Sequence, residues 1–213
     1  MTPPDPAPRG TVLVFLKYPE PGRVKTRLAA TVGPVRAAAL YRAMIDTVLD
    51  LLQPIRPRTR LVGFFDGAPE DAFAEWRGRT DEWWPQPAGD LGARLDAGFR
   101  AGAADGGPVL AVGTDCLDID AALLGEALGV LADRDAVFGP AHDGGYYLVG
   151  TARHVSGFFA GIPWSSENTL AEHLTLCRRN GWSVGLLAAL HDIDTLVDWL
   201  AHCRRKGVPD GGI

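Results

Sequence analysis

Cysteine is scarce in this sequence: three residues, Cys116, Cys177 and Cys203, among 213. They show neither CxxC nor Cys/His ligand spacing, and so sparse and odd a set argues against a disulfide framework and a structural zinc site. No apolar run approaches the roughly 18 residues that a membrane-spanning helix needs. Positive charge is in the minority, with 21 Lys and Arg against 26 Asp and Glu and a formal net charge of −5. General nucleic-acid binding normally shows a basic balance and is not expected here. Any anion the protein binds must therefore be met by a local feature. The first ten residues, "MTPPDPAPRG", lack the apolar core of a signal peptide. They read as a disordered leader, residues 207–213 as a flexible tail, and the protein as cytoplasmic.

What is present is an alternation of strand-like and helix-like runs. "TVLVFLK" (11–17), "TRLVGFF" (59–65), "PVLAVGTD" (108–115), "DAVFGPA" (135–141), "GYYLVG" (145–150) and residues 183–190 read as strands. A helix begins in "VKTRLAA", is interrupted at Gly33–Pro34 and continues over 35–52. There Val35, Ala38, Tyr41, Ile45, Val48 and Leu52 recur every three or four residues and mark one apolar face. Further helices are read at about 70–77, 89–104, 118–134, 167–180 and 195–206. The continuous apolar run of 108–112 suits a central strand buried on both faces. Strands alternating with helices imply right-handed βαβ units and a mostly parallel sheet with helices on both faces. One α/β domain over residues 11–206 is the expectation.

Against the acidic background, "FLKYPEPGRVKTRLA" (15–29) gathers four cations, Lys17, Arg23, Lys25 and Arg27, directly after the first strand. In open parallel sheets, ligands bind outside the carboxyl ends of the strands. Gly22 permits close backbone approach and the prolines lower the cost of ordering the loop. The loop matches neither GxxxxGK[ST] nor GxGxxG. Solvated surface charge is the plain alternative to a phosphate cradle.

Three further segments carry carboxylates. Asp115 ends the strand of "AVGTDCLDID", where a carboxylate facing phosphates is well placed to hold Mg²⁺; Asp118 and Asp120 read as helix caps. "GPAHDGGYYLVG" places Asp143 before paired glycines in a tight turn, with Tyr146 and Tyr147 alternating between core and site. In "LHDIDTLVDWL", Asp192 and Asp194 share a face of an extended segment, and a metal at Asp115 needs one more carboxylate, which this pair can supply. Asp194 or Thr195 could equally cap the last helix.

Together "FLKYPEPGRVKTRLA", "GDLGARL", "GTDC", "GPAHDGGYYLVG", "WSS" and "DIDT" resemble a bacterial family of transferases in the nucleotide-diphospho-sugar transferase (GT-A) superfamily, commonly labelled glycosyltransferases. That family is similar to the guanylyltransferases that act on molybdenum cofactor and on 2-phospholactate. The resemblance implies a GT-A, Rossmann-like fold, a nucleotide at the carboxyl edge of the sheet and a divalent metal, Mg²⁺ or Mn²⁺. By position it implies phosphate contacts from Lys17, Gly22, Lys25, Arg27 and Asp90, catalytic roles for Lys25, Asp115 and Asp143, and metal ligation by Asp115 with Asp192 or Asp194. Two positions depart from the family: Leu117 replaces the usual proline after GTDC, and His142 stands where an acidic residue is common.

Two chemistries fit these residues. In nucleotidyl transfer an acceptor phosphate attacks the α-phosphorus of a nucleoside triphosphate; in glycosyl transfer an acceptor hydroxyl attacks the anomeric carbon of a nucleotide sugar. Both need cations and a divalent metal on phosphate oxygens. Four loop cations and the absence of DxD at Asp115 favour nucleotidyl transfer to a small phosphorylated acceptor. Glycosyl transfer is the alternative, and a non-catalytic nucleotide-binding regulator the third reading. Neither a nucleic-acid nor a membrane partner is expected. "EWWP" (82–85) and Trp164 are candidates for stacking on a base or lining an acceptor pocket.

Overall fold

The computed structural model describes residues 10–209. The expected leader, apart from Gly10, and the last four residues of the expected tail lie outside the described residues.

Seven strands form one sheet: β1 (Gly10–Lys17), β2 (Thr59–Asp66), β3 (Glu82–Pro85), β4 (Val109–Gly113), β5 (Ala136–Pro140), β6 (Tyr146–Thr151) and β7 (Val184–Leu186). Their spatial order is β3-β2-β1-β4-β6-β5-β7. All run parallel except β6, which pairs antiparallel with both β4 and β5. The run read as the central strand is the middle one of the seven. The α-helices among the described residues are α1 (Thr26–Val32), α2 (Pro34–Leu51), α3 (Leu91–Gly102), α4 (Ala121–Val130), α5 (Thr169–Arg179) and α6 (Leu196–Lys206).

Strand periodicity divides the core into two layers. Val12, Val14 and Leu16 of β1, with Leu110 and Val112 of β4, pack beneath α1, α2, α4 and α6. Leu13 of β1, with Val109 and Ala111 of β4, faces α3 and α5 through Leu95, Phe99 and Cys177, with Phe158 of the β6–α5 connection in the same layer. Burial on both faces explains why these strands read as continuous apolar runs rather than as alternations. None of the described helices is long and apolar enough to cross a membrane.

Three details differ from the sequence reading. Val35, counted with the apolar face of α2, is 71% exposed, because it lies in the first turn beyond the reach of the sheet. "EWWP" is an edge strand, not a pocket wall: Trp83 packs on Phe65 and Phe73, and the Arg60 guanidinium sits over the Trp84 ring. The last strand is only three residues long, followed by an extended segment that returns to the ladder through an isolated parallel bridge between Ala141 and Leu190. That bridge carries residues 191–194 along the carboxyl edge of the sheet, next to β5 and the end of β4.

Candidate active site

β1, β2, β4 and β5 end at one edge of the sheet and β6 begins there, so the loops following Lys17, Gly113 and Pro140 meet in one place. Two backbone ties fix the meeting. Ile193 N donates to Asp115 O at 2.9 Å, and His142 N to Leu190 O at 3.2 Å. Beneath them the Tyr41 hydroxyl of α2 accepts from Lys17 N at 3.1 Å and from Thr114 Oγ1 at 3.0 Å, joining the ends of β1 and β4. Burial, reinforced by Asp115, pushes the Tyr41 phenol up to about 12, so it stays protonated. Its place on the apolar face of α2 was legible in the sequence; its polar task was not.

The basic loop does not present its charges uniformly. Lys25, directly before α1, has φ 47° and ψ 50°, a left-handed conformation that a residue with a Cβ rarely adopts. The turn sends its side chain inward until only 6% of it is exposed. The ammonium donates to Ile193 O at 2.5 Å and lies 2.9 Å from Asp115 Oδ1 and 3.1 Å from Asp194 Oδ1. An ammonium has three protons, and three acceptors take them. Burial alone would lower the Lys25 pKa, but Asp115 and Asp194 outweigh it and hold the group above its ordinary value. The sequence reading placed Lys25 among phosphate contacts; in the structure it lines the cleft with its ammonium on two carboxylates and a backbone carbonyl. Lys17, Arg23 and Arg27 remain at the surface, with Arg27 Nη1 3.1 Å from Asp194 Oδ2.

The acidic partners divide in the same way. Asp194 is engaged by both Lys25 and Arg27, and the cap of α6 is Thr195, whose side chain accepts from Asp198 N in a capping box. Asp192 carries no ion pair among the described residues. Burial, then the charges of Asp115 and Asp143, raise its carboxyl pKa to about 7, with Lys25 opposing.

The facing wall is built from the β5–β6 turn and residues 163–169. Asp143 Oδ1 accepts from Gly145 N at 2.8 Å, closing the turn. Gly144 has φ 91°, and a Cβ there would collide with the Glu167 carbonyl; only glycine lets the turn press against that segment. Leu170 N completes the contact by donating to Gly144 O at 3.0 Å. Tyr146 and Tyr147 alternate as expected: Tyr146 lines the cleft, while Tyr147 is buried and donates to Ala188 O.

Between the walls lies a cleft of about 720 Å³. Its lining includes Lys17, Lys25, Arg27, Asp115, Asp143, Asp192 and Asp194, so seven of the nine residues singled out from sequence converge. Gly22 and Asp90 do not line it. Gly22 has φ 82° in the turn before Arg23, and Asp90 caps α3, accepting from Ala93 N at 2.8 Å. Trp164 joins the lining, whereas Trp83 and Trp84 do not. The contributions of Tyr41, Leu91 and Glu167 carried no signal in the sequence beyond ordinary core or surface patterning.

No cluster of three or more His, Cys, Asp or Glu side chains arranged to hold a metal occurs among the described residues. The donor set still suits a hard divalent ion bound jointly with phosphates, since Mg²⁺ commonly takes one or two carboxylates plus phosphate oxygens and water. Asp115 and Asp192 both line the cleft, and the Asp115 charge reaches Asp192. Burial is the main cause of the raised Asp192 pKa, and the charges of Asp115 and Asp143 add to it while Lys25 opposes.

A bacterial family described as "Uncharacterized protein conserved in bacteria (DUF2064)" matches residues 52–166, a span that includes Asp115, Asp143 and Trp164. No curated protein matches the sequence. Among solved structures, a protein of Desulfovibrio desulfuricans G20, provisionally described as a nucleotide-diphospho-sugar transferase, superposes with a TM-score of 0.85 at 33% identity, covering 92% of this chain and 87% of that one. Glucosyl-3-phosphoglycerate synthase of Mycobacterium tuberculosis, solved with Mn²⁺, UDP and glucosyl-3-phosphoglycerate, superposes at 0.58 with 14% identity, covering 96% and 82%. The 4-diphosphocytidyl-2C-methyl-D-erythritol synthase of Anaerococcus prevotii gives 0.63 at 8% identity, covering 93% and 99%. At such identities the last two establish the fold alone, which is that of the GT-A nucleotide-sugar transferases.

Proposed function

The chain belongs to this bacterial family, DUF2064, and we propose that it is a divalent-metal-dependent transferase whose donor is a nucleotide sugar. The observation that carries the reading is the convergence, at the carboxyl edge of a GT-A sheet, of an exposed cation set with the Asp115–Asp192 carboxylate pair. Lys17, Arg23 and Arg27 meet the donor's phosphates. Asp115 and Asp192 hold the metal, which neutralises charge developing on the leaving phosphates. Lys25 holds Asp115 and Asp194 in place from behind.

Glycosyl transfer fits better than the nucleotidyl transfer favoured from sequence. Lys25, read from sequence as a phosphate contact, is engaged by two carboxylates, and Arg27 is shared with Asp194. The remaining charge suits a diphosphate better than a triphosphate. Nucleotidyl transfer stays as the second reading because Lys17 and Arg23 are long, exposed side chains able to reach a terminal phosphate.

The test is incubation with nucleotide sugars and nucleoside triphosphates, with Mg²⁺ or with EDTA, followed by ³¹P NMR. Slow release of a nucleoside diphosphate from a nucleotide sugar, lost in EDTA, is expected. Pyrophosphate release from a triphosphate alone would transfer the case to the second reading. Absence of both turnovers, with no metal-dependent nucleotide stabilisation, would remove both.

A further inference from the structure

The cations of the cleft are confined to one stretch of the chain. Every cation in the lining, Lys17, Arg23, Lys25 and Arg27, comes from the one stretch that runs from the end of β1 into the first turn of α1. The opposite wall presents Asp143 and Glu167, both exposed and without an ion pair among the described residues, and no Lys, Arg or His. Its apolar part is equally definite: Trp164 lines the cleft beside Tyr146, their rings 6.4 Å apart at 79°, and Leu91 adds a 42% exposed side chain. We propose that this wall is an acceptor subsite for a neutral or cationic polyhydroxylated molecule with one flat apolar face, and that it rejects phosphorylated and carboxylated acceptors. The inference rests on the donor reading above, which places the phosphates against the cations of residues 17–27.

The subsite is preformed. Gly92, in the first turn of α3, lies so close to the Trp164 indole that a Cβ would fall 2.8 Å from Nε1, so the ring has no room to retreat. The buried Thr169 hydroxyl accepts from Ser166 N at 3.2 Å and reaches Pro163 O at 2.8 Å, pinning the segment on either side of Ser165. A rigid aromatic surface gives contact area at little ordering cost. Carboxylates accept from hydroxyl and ammonium groups, whereas a phosphate set against Asp143 and Glu167 meets like charge, which is how a site discriminates against a competitor. In the transfer itself the acceptor oxygen bonds to the anomeric carbon of the donor as the bond from that carbon to the β-phosphate oxygen breaks. The electron pair leaves with the nucleoside diphosphate, and the acceptor's proton passes to Asp143.

The test uses the full chain with three probes: phenyl β-D-glucoside (neutral), phenyl β-D-glucosaminide (cationic) and glucose 6-phosphate, read by calorimetry. With Mg²⁺ and a saturating nucleoside diphosphate, both glycosides are expected to bind and glucose 6-phosphate is not; binding of glucose 6-phosphate alongside the nucleotide would overturn the proposal. In nucleotide-free protein, Glu167→Lys, a surface change that spares the core, should weaken the glucosaminide about ten-fold or more and the glucoside far less. An unchanged glucosaminide affinity would also overturn it. Should the nucleoside diphosphate itself fail to bind, the donor reading falls, and the nucleotide-free comparison still decides the subsite.

Discussion

The Lys25 ammonium lies 2.9 Å from Asp115 Oδ1, so the cation expected to cradle a phosphate is held by the carboxylate expected to hold the metal. A metal ion bound as proposed would share one purpose with Lys25, neutralising converging aspartates. Lys25→Met should therefore lower the melting temperature in EDTA. With Asp115 and Asp194 more than a third exposed, the loss is expected at about 1–2 kcal/mol, discounted from buried charged hydrogen bonds. Millimolar Mg²⁺ should restore more stability to the variant than to the wild type. Equal Mg²⁺ responses in thermal melts would refute the shared role.

Asp192 and Asp194 differ in their partners, and their variants should differ accordingly. Asp192→Asn should weaken Mg²⁺ dependence of nucleotide binding with little thermal cost, and Asp194→Asn should do the reverse, because it frees Lys25 and Arg27. Titrating Mg²⁺ in the presence of nucleotide, next to melting curves of both variants, checks this.

The same carboxylate sets a pH dependence. With the Asp192 pKa raised to about 7 by burial and neighbouring charge, the folded metal-free protein resists ionising it, whereas the unfolded chain ionises it near pH 4. The unfolded state therefore binds fewer protons between about pH 4 and 7, and this group's contribution to stability falls as pH rises through that window. Asp192→Asn should flatten that slope. Mg²⁺ affinity should rise about ten-fold per unit up to pH 7 and then level off, since the ligand must be deprotonated; a flat profile from pH 5.5 to 8 contradicts this.

His173 titrates with the opposite sign. It is fully buried among aromatic rings, with Phe158 and Phe138 at 4.6 and 4.8 Å, and its Nε2 has no hydrogen-bond partner among the described residues. Burial lowers its pKa to about 4, with the Phe158 carbonyl partly opposing. Between about pH 6.5 and 4 the unfolded state binds the additional proton, so acidification through this window destabilises the fold. His173→Phe should reduce the drop in melting temperature between pH 7 and pH 4.5; an identical drop in wild type and variant rules out His173 as its source.

At the loop, Lys17→Ala and Arg27→Ala should each raise the Kd for a nucleoside diphosphate by about ten-fold, the equivalent of 1.4 kcal/mol and the scale of one charge-assisted contact. Unchanged affinity in both would return the loop to solvated surface charge.

Much of this was written in the chain. Apolar runs such as 108–112 announce strands because burial on both faces demands them, and the glycine pair at 144–145 announces its turn because position 144 admits only glycine. Short motifs named the loops after β1, β4 and β5 as site-forming, since a parallel sheet must deliver its carboxyl ends to one edge. β3 escaped because four residues dominated by Trp83 and Trp84 lack both length and alternation, and edge pairing with β2 is not a local property.

The sequence by itself determined which loops meet and which ionisable groups they carry, because strand direction and hydrophobic period are local and survive without knowledge of neighbours. Tertiary structure alone decided what each charge does. Whether Lys25 faces a phosphate or an aspartate depends on a left-handed backbone turn and on Ile193, 168 positions away. That Lys25 and Arg27 pair with Asp194 and not with Asp192 is likewise a matter of the folded chain. Charges act through space over a few ångströms, and only the folded chain brings residues 25, 115 and 192–194 within that range.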